Sequence, residues 1–450
     1  MTAETNMAQW RDGGQDREAA LDRATAKAMR RLLPFLILMY MLSYLDRANI
    51  GFAKQAFQAA TGVSDAAFAF GAGVFFIGYA AFEVPSNLML HRFGARRWMS
   101  RIMVTWGLIA AAMIWARGDT SFSVMRLFLG LAEAGFFPGA ILYMTYWFPA
   151  RSRGRILGLF YFGAPLALMF GGPLSGTLLD LDGVAGLMGW QWMFLIEGLL
   201  AVAVGVWAYW YLTDRPADAR WLTAEERDAL SRTLAAEDAV KAAEGKTGFR
   251  AVLTDPRLML FATIYFLIQI SSYGVAFYLP TQVSGLLHVN IGVLVGFVSA
   301  VPWACAIVAA LILPPLAVGT GFRRTFGIAL LLCIACGLIA SGHLAPLPAV
   351  IALCFVTMGI ICSQPIFWTF PTGYLGGTAA AGGLAVINAI GNLGGFVAPN
   401  VKTWAEAAFQ TPVAGLYTLA LAPIIAAFLF TFLAGGWILA PQAATARSTS

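Results

Sequence analysis

Apolar residues in this chain fall in long, nearly unbroken runs rather than in alternating or heptad stripes. A helix crossing a bilayer needs about 20 mainly apolar residues. Twelve such runs can be drawn, at 32–54, 67–90, 98–117, 121–147, 153–178, 190–212, 257–280, 289–314, 324–342, 347–370, 379–401 and 413–439. One long polar stretch divides them six and six, which suggests a duplicated fold whose halves rock about a central site. The turns after spans 2 and 8 carry a weak trace of that duplication. "NLMLHRFGARR" (87–97) and "LAVGTGFRR" (316–324) each place a glycine and an arginine pair alike. The pattern therefore predicts an all-α polytopic membrane protein. Its parts are a tail (1–31), a six-helix bundle (32–212), a linker (213–256), a second six-helix bundle (257–439) and a second tail (440–450). In the linker, "TAEE" (Thr223 to Glu226) is a capping-box pattern that opens a surface helix with Leu230 and Leu234 on one face.

Composition narrows the class. The chain of 450 residues is 59% hydrophobic and 12% charged, with a mean hydropathy of +0.73, which excludes a soluble protein. The first thirty residues are polar and mixed in charge, and read as a soluble tail rather than a cleavable signal. The net charge of +6 does not indicate nucleic-acid binding, because its distribution follows the spans. With the N-terminus placed in the cytoplasm, 24 of the 29 basic residues fall in the tails, the even-numbered turns and the linker. Lys54, Arg117 and Lys402 lie outside that pattern, and Arg47 and Arg126 lie within spans. The asymmetry predicts that both termini are cytoplasmic. All five cysteines sit in apolar runs and read as small core residues. The spans hold no metal-ligand cluster and no nucleophile–base pair, so neither an enzyme nor a cofactor or metal site is expected.

The chemistry lies in the charges that enter the membrane. A charge at the bilayer centre costs roughly 2.5–3.5 kcal/mol on insertion scales, yet span 1 carries Asp46 and Arg47 side by side. Span 4 carries Arg126 and Glu133, seven residues apart and so on one helix face, about 10 Å apart along the axis. Four charges that sum to zero persist in lipid only by satisfying one another or by facing water. They form either a permanent staple between two helices or a site for an anion and a proton. A guanidinium offers a rigid fork of donors that suits a carboxylate. If a substrate carboxylate takes the arginine, the neighbouring acid loses its cation and binds a proton more readily. Asp46 and Glu133 are thus expected to couple protons, and Arg47 and Arg126 to hold the anion. Tyr44, Tyr79, Gln269, Tyr273, Trp368, Thr369, Asn388 and Asn392 are the polar side chains expected to complete the substrate site. Glu83, His91, Arg92, Arg96 and Arg97 are expected at a cytoplasmic gate. Glu197, the remaining intramembrane acid, takes a gate or structural role.

Several stretches together resemble the major facilitator superfamily over nearly the whole chain, and within it the anion:cation symporter family. They are "SYLDRANIGFA", "FEVPSNLMLHRFGARRWMSRIMVTWG", "RLFLGLAEAGFFPG", "GWQWMFLIEG…YLTDRPADARWLTAEER" and "FWTFPTGYLGGTAAAGGLAVINAIGNLGGF". The resemblance implies proton- or cation-coupled movement of organic anions by alternating access. It assigns coupling and anion recognition to Asp46, Arg47, Arg126 and Glu133, and cavity positions to Tyr44, Tyr79, Trp368 and Asn388. The family's 2–3 turn usually has an acid where this chain has His91, and the 8–9 turn has none. Span 5, "FYFGAPLALMFGG", is apolar where sugar-acid carriers often have a polar side chain. That leaves tartrate-like, aromatic or short dicarboxylic acids open beside sugar acids. The expected partners are a small organic anion, protons and membrane lipid, around a monomer. The alternatives are an anion uniporter or exchanger without net proton coupling, and a nutrient sensor on a transporter scaffold.

Overall fold

A computed structural model describes residues 3–243, 255–319, 322–374 and 377–433. The last part of the linker and the second tail lie outside the described residues. Among the described residues, twelve helices are long and apolar enough to cross a membrane. They are Asp16–Thr61, Asp65–Phe93, Ala95–Trp115, Gly118–Thr145, Ala150–Leu179, Gly189–Tyr211, Pro256–Leu287, Val293–Ala317, Arg323–Ser341, Pro346–Tyr374, Gly382–Phe409 and Pro412–Leu433, numbered here as spans 1 to 12. No strand occurs among the described residues. An even number of spans returns the chain to the face it started from, called here the tail face. Large apolar side chains such as Phe128, Leu311, Ile312 and Phe428 stand exposed on the outside, as a lipid-facing surface requires. Trp115, Trp210 and Trp404 are exposed near span ends, where indole rings favour the membrane interface.

The N-terminal tail is not separate from span 1: one helix runs Ala3–Thr61. Ala20, Ala24 and Ala28 recur every four residues and are buried, giving this extension an apolar face of its own. The linker helix, Ala224–Ala243, packs against it with Leu230 and Leu234 buried. The capping box forms: the Thr223 N–H donates to Glu226 Oε2 at 2.9 Å, and the Glu226 N–H donates to Thr223 Oγ1 at 3.3 Å. The same carboxylate takes the Lys27 ammonium at 2.8 Å. Glu237 accepts from Arg153 and from the Ala150 N–H, and Arg151 pairs with Glu18 and Asp22. Tail, linker helix and the 4–5 turn thus form a polar collar on the first half.

Three spans are broken. Span 4 is helical to Glu133, turns at Ala134–Gly135, and resumes over Phe136–Thr145. Gly135 is left-handed, at φ 85°, and a Cβ there would lie 2.2 Å from Ser86 Oγ of span 2, so the break requires glycine on two counts. Span 5 breaks at Phe162, between Ala150–Tyr161 and Gly163–Leu179. Span 11 breaks at Leu393, between Gly377–Asn392 and Gly394–Phe409.

The halves meet most closely away from the tail face. A Cβ on Gly51 would fall 2.2 Å from the Phe277 carbonyl oxygen, which presses span 1 against span 7. A Cβ on Gly172 of span 5 would lie 2.6 Å from the Gly296 carbonyl oxygen of span 8, one on Gly176 would lie 2.5 Å from that of Gly292 just before span 8, and Asp180 accepts from the Val293 N–H at 3.0 Å. Lys54 pairs with Asp65 at 2.9 Å, and both Lys54 and Lys402 lie over the Tyr278 ring. The bundle is therefore shut at the face opposite the tails.

Burial opposes ionisation of Glu226, but Lys27, the Thr223 N–H and Arg23 outweigh it and hold the carboxyl below its usual range. A lowered folded-state value means the contribution is full above the ordinary glutamate value of about 4.3 and is lost as pH falls through the folded one. Lys27 is half exposed, so solvent screens the pair to about 1 kcal/mol or less. Glu226→Gln should speed hydrogen exchange in residues 16–31 and spare the rest of span 1 and the other spans. Unchanged exchange there would show that the collar does not depend on this carboxylate.

Candidate functional site

The arrangement starts from two close helix contacts. Gly130 brings span 4 against span 2, since a Cβ there would lie 2.0 Å from the Phe75 carbonyl oxygen. Arg126, one turn earlier, thereby reaches the Phe75 ring, with its guanidinium carbon 5.0 Å from the centroid. The guanidinium of Arg47, from span 1, lies 5.4 Å from the same centroid. Phe75, absent from the sequence expectations, is thus shared by both intramembrane arginines.

The four expected charges do not pair alike. Arg47 donates to Glu133 Oε1 from Nε at 2.8 Å and from Nη2 at 2.6 Å. Ser43, one turn before Arg47, donates to that same oxygen at 2.6 Å. Three donors crowd Oε1, while Oε2 has no partner among the described residues. The break that ends the helix at Glu133 places this carboxylate where span 1 can reach it. Arg126 and Asp46 are also buried, yet they form no ion pair within 4 Å among the described residues. Arg126 Nε and Nη2 and Asp46 Oδ2 all lack hydrogen-bond partners among the described residues. The seven-residue spacing put Arg126 and Glu133 on one face, but the tight ion pair is the cross-helix one, Arg47 with Glu133.

Arg47 also connects the halves. Its Nη1 donates to the Tyr273 hydroxyl of span 7 at 3.4 Å, and that hydroxyl donates to Asn392 Oδ1 of span 11 at 3.3 Å. Tyr79 and Tyr44 flank the guanidinium, with ring centroids 4.8 and 5.7 Å from its central carbon. One acid expected to couple protons and five expected substrate residues are therefore brought together: Glu133, Arg47, Tyr44, Tyr79, Tyr273 and Asn392. Gln269 is buried one turn from Tyr273, with its Oε1 unpartnered. Trp368 packs on Tyr265, and its Nε1 is unpartnered. Asn388 lies beside the Glu83 carboxyl, which links an expected substrate residue to an expected gate residue across the halves. Thr369 turns its hydroxyl back to the Ile366 carbonyl of its own helix at 2.7 Å.

The gate set is spread out. His91 Nε2 lies 3.4 Å from the Tyr146 hydroxyl, Arg92 stands beside Phe93, and Arg97 is exposed. Arg96 lies over Tyr209, and its backbone N–H donates to Asp214 Oδ1 at 2.8 Å. The acid at this turn is thus supplied from beyond span 6, by Asp214. No hydrogen bond or ion pair joins these four residues to the second half among the described residues. Glu197 was expected at a gate or in a structural role. It is buried and accepts from Asn49 Nδ2 at 2.9 Å and from Ser175 Oγ at 2.8 Å.

Comparison with known proteins agrees with this architecture. The family described as Major Facilitator Superfamily matches residues 36–399. The chain is 44% identical over 411 residues to the inner membrane transport protein RhmT of Escherichia coli (strain K12), covering 91% of this chain and 95% of RhmT. It is 42% identical over 431 residues to a putative tartrate transporter of Agrobacterium vitis, covering 95% and 94%. Among solved structures, it superposes on a bacterial homologue of the human lysosomal transporter Spinster, in an inward-facing and occupied conformation. That match has a TM-score of 0.73 and 16% identity, and covers 89% of this chain and 96% of the homologue. With the family model matching residues 36–399 and relatives matched over more than nine-tenths of their length, this chain belongs to the major facilitator superfamily and is a membrane transporter, not an enzyme.

Proposed function

We propose that the protein imports a small organic anion with protons across the bacterial inner membrane, by alternating access, with both termini in the cytoplasm. One observation carries the reading: Arg47 holds Glu133 through a single carboxylate oxygen, beside a second arginine with two guanidinium nitrogens unpartnered among the described residues. A permanent staple would engage both carboxylate oxygens and leave no buried guanidinium N–H unmet, since each unmet group costs about 1–3 kcal/mol. A carboxylate ligand answers both deficits. It takes the fork of one arginine or both, and Glu133, deprived of its cation, accepts a proton. Tyr44, Tyr79, Tyr273 and Asn392 stand ready for the ligand's hydroxyl or second carboxyl oxygens. A relative named for tartrate supports a short dicarboxylate, and the apolar span 5 points the same way.

The tail face, by the positive-inside pattern, is the cytoplasmic one. Closure at the opposite face then corresponds to a state facing inward. His91, Arg92, Arg96 and Arg97 lie toward the tail face, where a gate would close, with no hydrogen bond or ion pair to the second half among the described residues, and Glu83 already lies beside Asn388 across the halves.

Glu133→Gln should abolish uphill uptake driven by a pH gradient while sparing counterflow exchange. Unchanged uphill uptake would remove Glu133 from the coupling. Arg47→Lys and Arg126→Lys keep the charge but lose the fork, so each should weaken anion binding by about 2–5 kcal/mol. Thermal-shift titration with L-tartrate and a wider carboxylate panel reads this. Wild-type affinity in both variants would rule out recognition by the fork.

The direction of coupling follows from charge balance. A monoanion added to two acids and two arginines leaves one excess negative charge, which a proton on Glu133 relieves. A dianion calls for a second proton, on Asp46. Binding should consume protons, and affinity should strengthen as pH falls, with a slope equal to the number taken up. Calorimetry in buffers of different ionisation enthalpy measures that number. Zero uptake with pH-independent affinity would favour a uniporter or exchanger.

A further inference from the structure

Glu197 has no role in the mechanism above, yet it is a carboxyl at 3% exposure inside the first half. No lysine, arginine or histidine lies within ion-pair distance of it among the described residues. Its two contacts are neutral donors on different helices, Asn49 of span 1 and Ser175 of span 5. A buried carboxylate without a cation is among the most costly groups a fold can hold, and the usual relief is a proton.

Both contacts also line a narrow cavity between spans 1, 5, 7 and 8, with room for about one water molecule. Ser299 of span 8 lines it from the opposite half. Ser299 Oγ and Asn49 Oδ1 are buried and have no hydrogen-bond partner among the described residues. Gly171 and Gly172 form part of the wall, and the seam seals beside them, where Gly172 meets the Gly296 carbonyl. The cavity thus touches the contact between the halves that is shut in this conformation.

We propose that Glu197 is a proton-binding site separate from Asp46 and Glu133, loaded when the span 5–span 8 seam opens and occluded when it shuts. The proposal rests on the alternating-access reading of the fold, but not on any particular substrate. Ser175 carries the proton. Its oxygen accepts one from a hydronium ion that enters through the open seam while its own hydroxyl proton passes to Glu197 Oε1, leaving a neutral acid, a neutral serine and a water molecule. With the seam shut, the dry surroundings disfavour the carboxylate and retain the proton. With it open, water reaches Asn49 and Ser175, and exchange with the outer solution follows.

Infrared spectroscopy of the purified full-length protein in liposomes, without substrate, tests this through the carbonyl stretch of protonated carboxyl groups. Wild type should keep such a band at about pH 7, where an ordinary glutamate is ionised. Glu197→Gln should lose it, and Asp46→Asn and Glu133→Gln should retain it. A Glu197→Gln spectrum that matches wild type overturns the proposal. If that variant does not fold, Ser175→Ala decides. The band should shift, because one hydrogen bond is gone, and its response to heavy water should slow, because the relay is cut. An unshifted band with unchanged exchange overturns the proposal equally. Gly172→Ala forces the seam apart and should make the band vanish at lower pH than in wild type. An unchanged titration removes the gating by the seam. No arm uses a transported anion, so failure here leaves Glu133 untouched, and failure of anion uptake leaves the infrared result standing.

Discussion

The arrangement turns on one buried ion pair, Arg47 with Glu133. Two opposite charges taken out of water cost several kcal/mol each, and their attraction repays this only with good geometry and further hydrogen bonds. Here the geometry is lopsided. Arg47 and Ser43 satisfy one oxygen of Glu133 and leave the other bare. The pair is strong enough to hold span 1 against span 4 and incomplete enough to accept a competitor. Because Arg47 also reaches Tyr273 and, through it, Asn392, anything that displaces the pair is felt in the second half.

That pair would not form without close helix contacts. Association in lipid gains little from hydrophobic burial and relies on packing, so small residues decide where backbones meet. Gly130 against Phe75 brings both arginines over one aromatic ring, and Gly135 permits the break that presents Glu133 to span 1. Gly51, Gly172 and Gly176 do the same for the seam between halves. Contacts of this kind are tight but shallow, which suits surfaces that separate and rejoin.

The two faces use polar groups differently. The tail face surrounds the first half with a partly exposed ionic collar, in which solvent screens Arg151 with Glu18 most and reaches the Lys27 side of the pair with buried Glu226. The opposite face shuts with backbone packing, one N–H to a carboxylate, and lysines over Tyr278. Asp214 illustrates the cost of reading a turn alone. The 2–3 turn lacks its own acid, and a residue more than a hundred positions later fills the place by capping the helix that begins there.

Sequence alone determined the twelve spans, their division six and six, and the four charges within them. Each is a property of local composition: bilayer thickness sets the run length, and charge in lipid is rare enough to mark itself. "TAEE" was legible for the same reason, because a capping box is closed within four residues. Tertiary structure alone decided which charge meets which. Helical periodicity placed Arg126 and Glu133 on one face, but only packing turned Glu133 toward Arg47 and left Arg126 with unused N–H groups. Likewise Thr369 looked available until its own helix claimed its hydroxyl, and nothing singled out Phe75 until two guanidiniums lay on it. Ion pairs and ring contacts act over a few ångströms between residues distant in the chain, so their choice of partner is not written in any window of sequence.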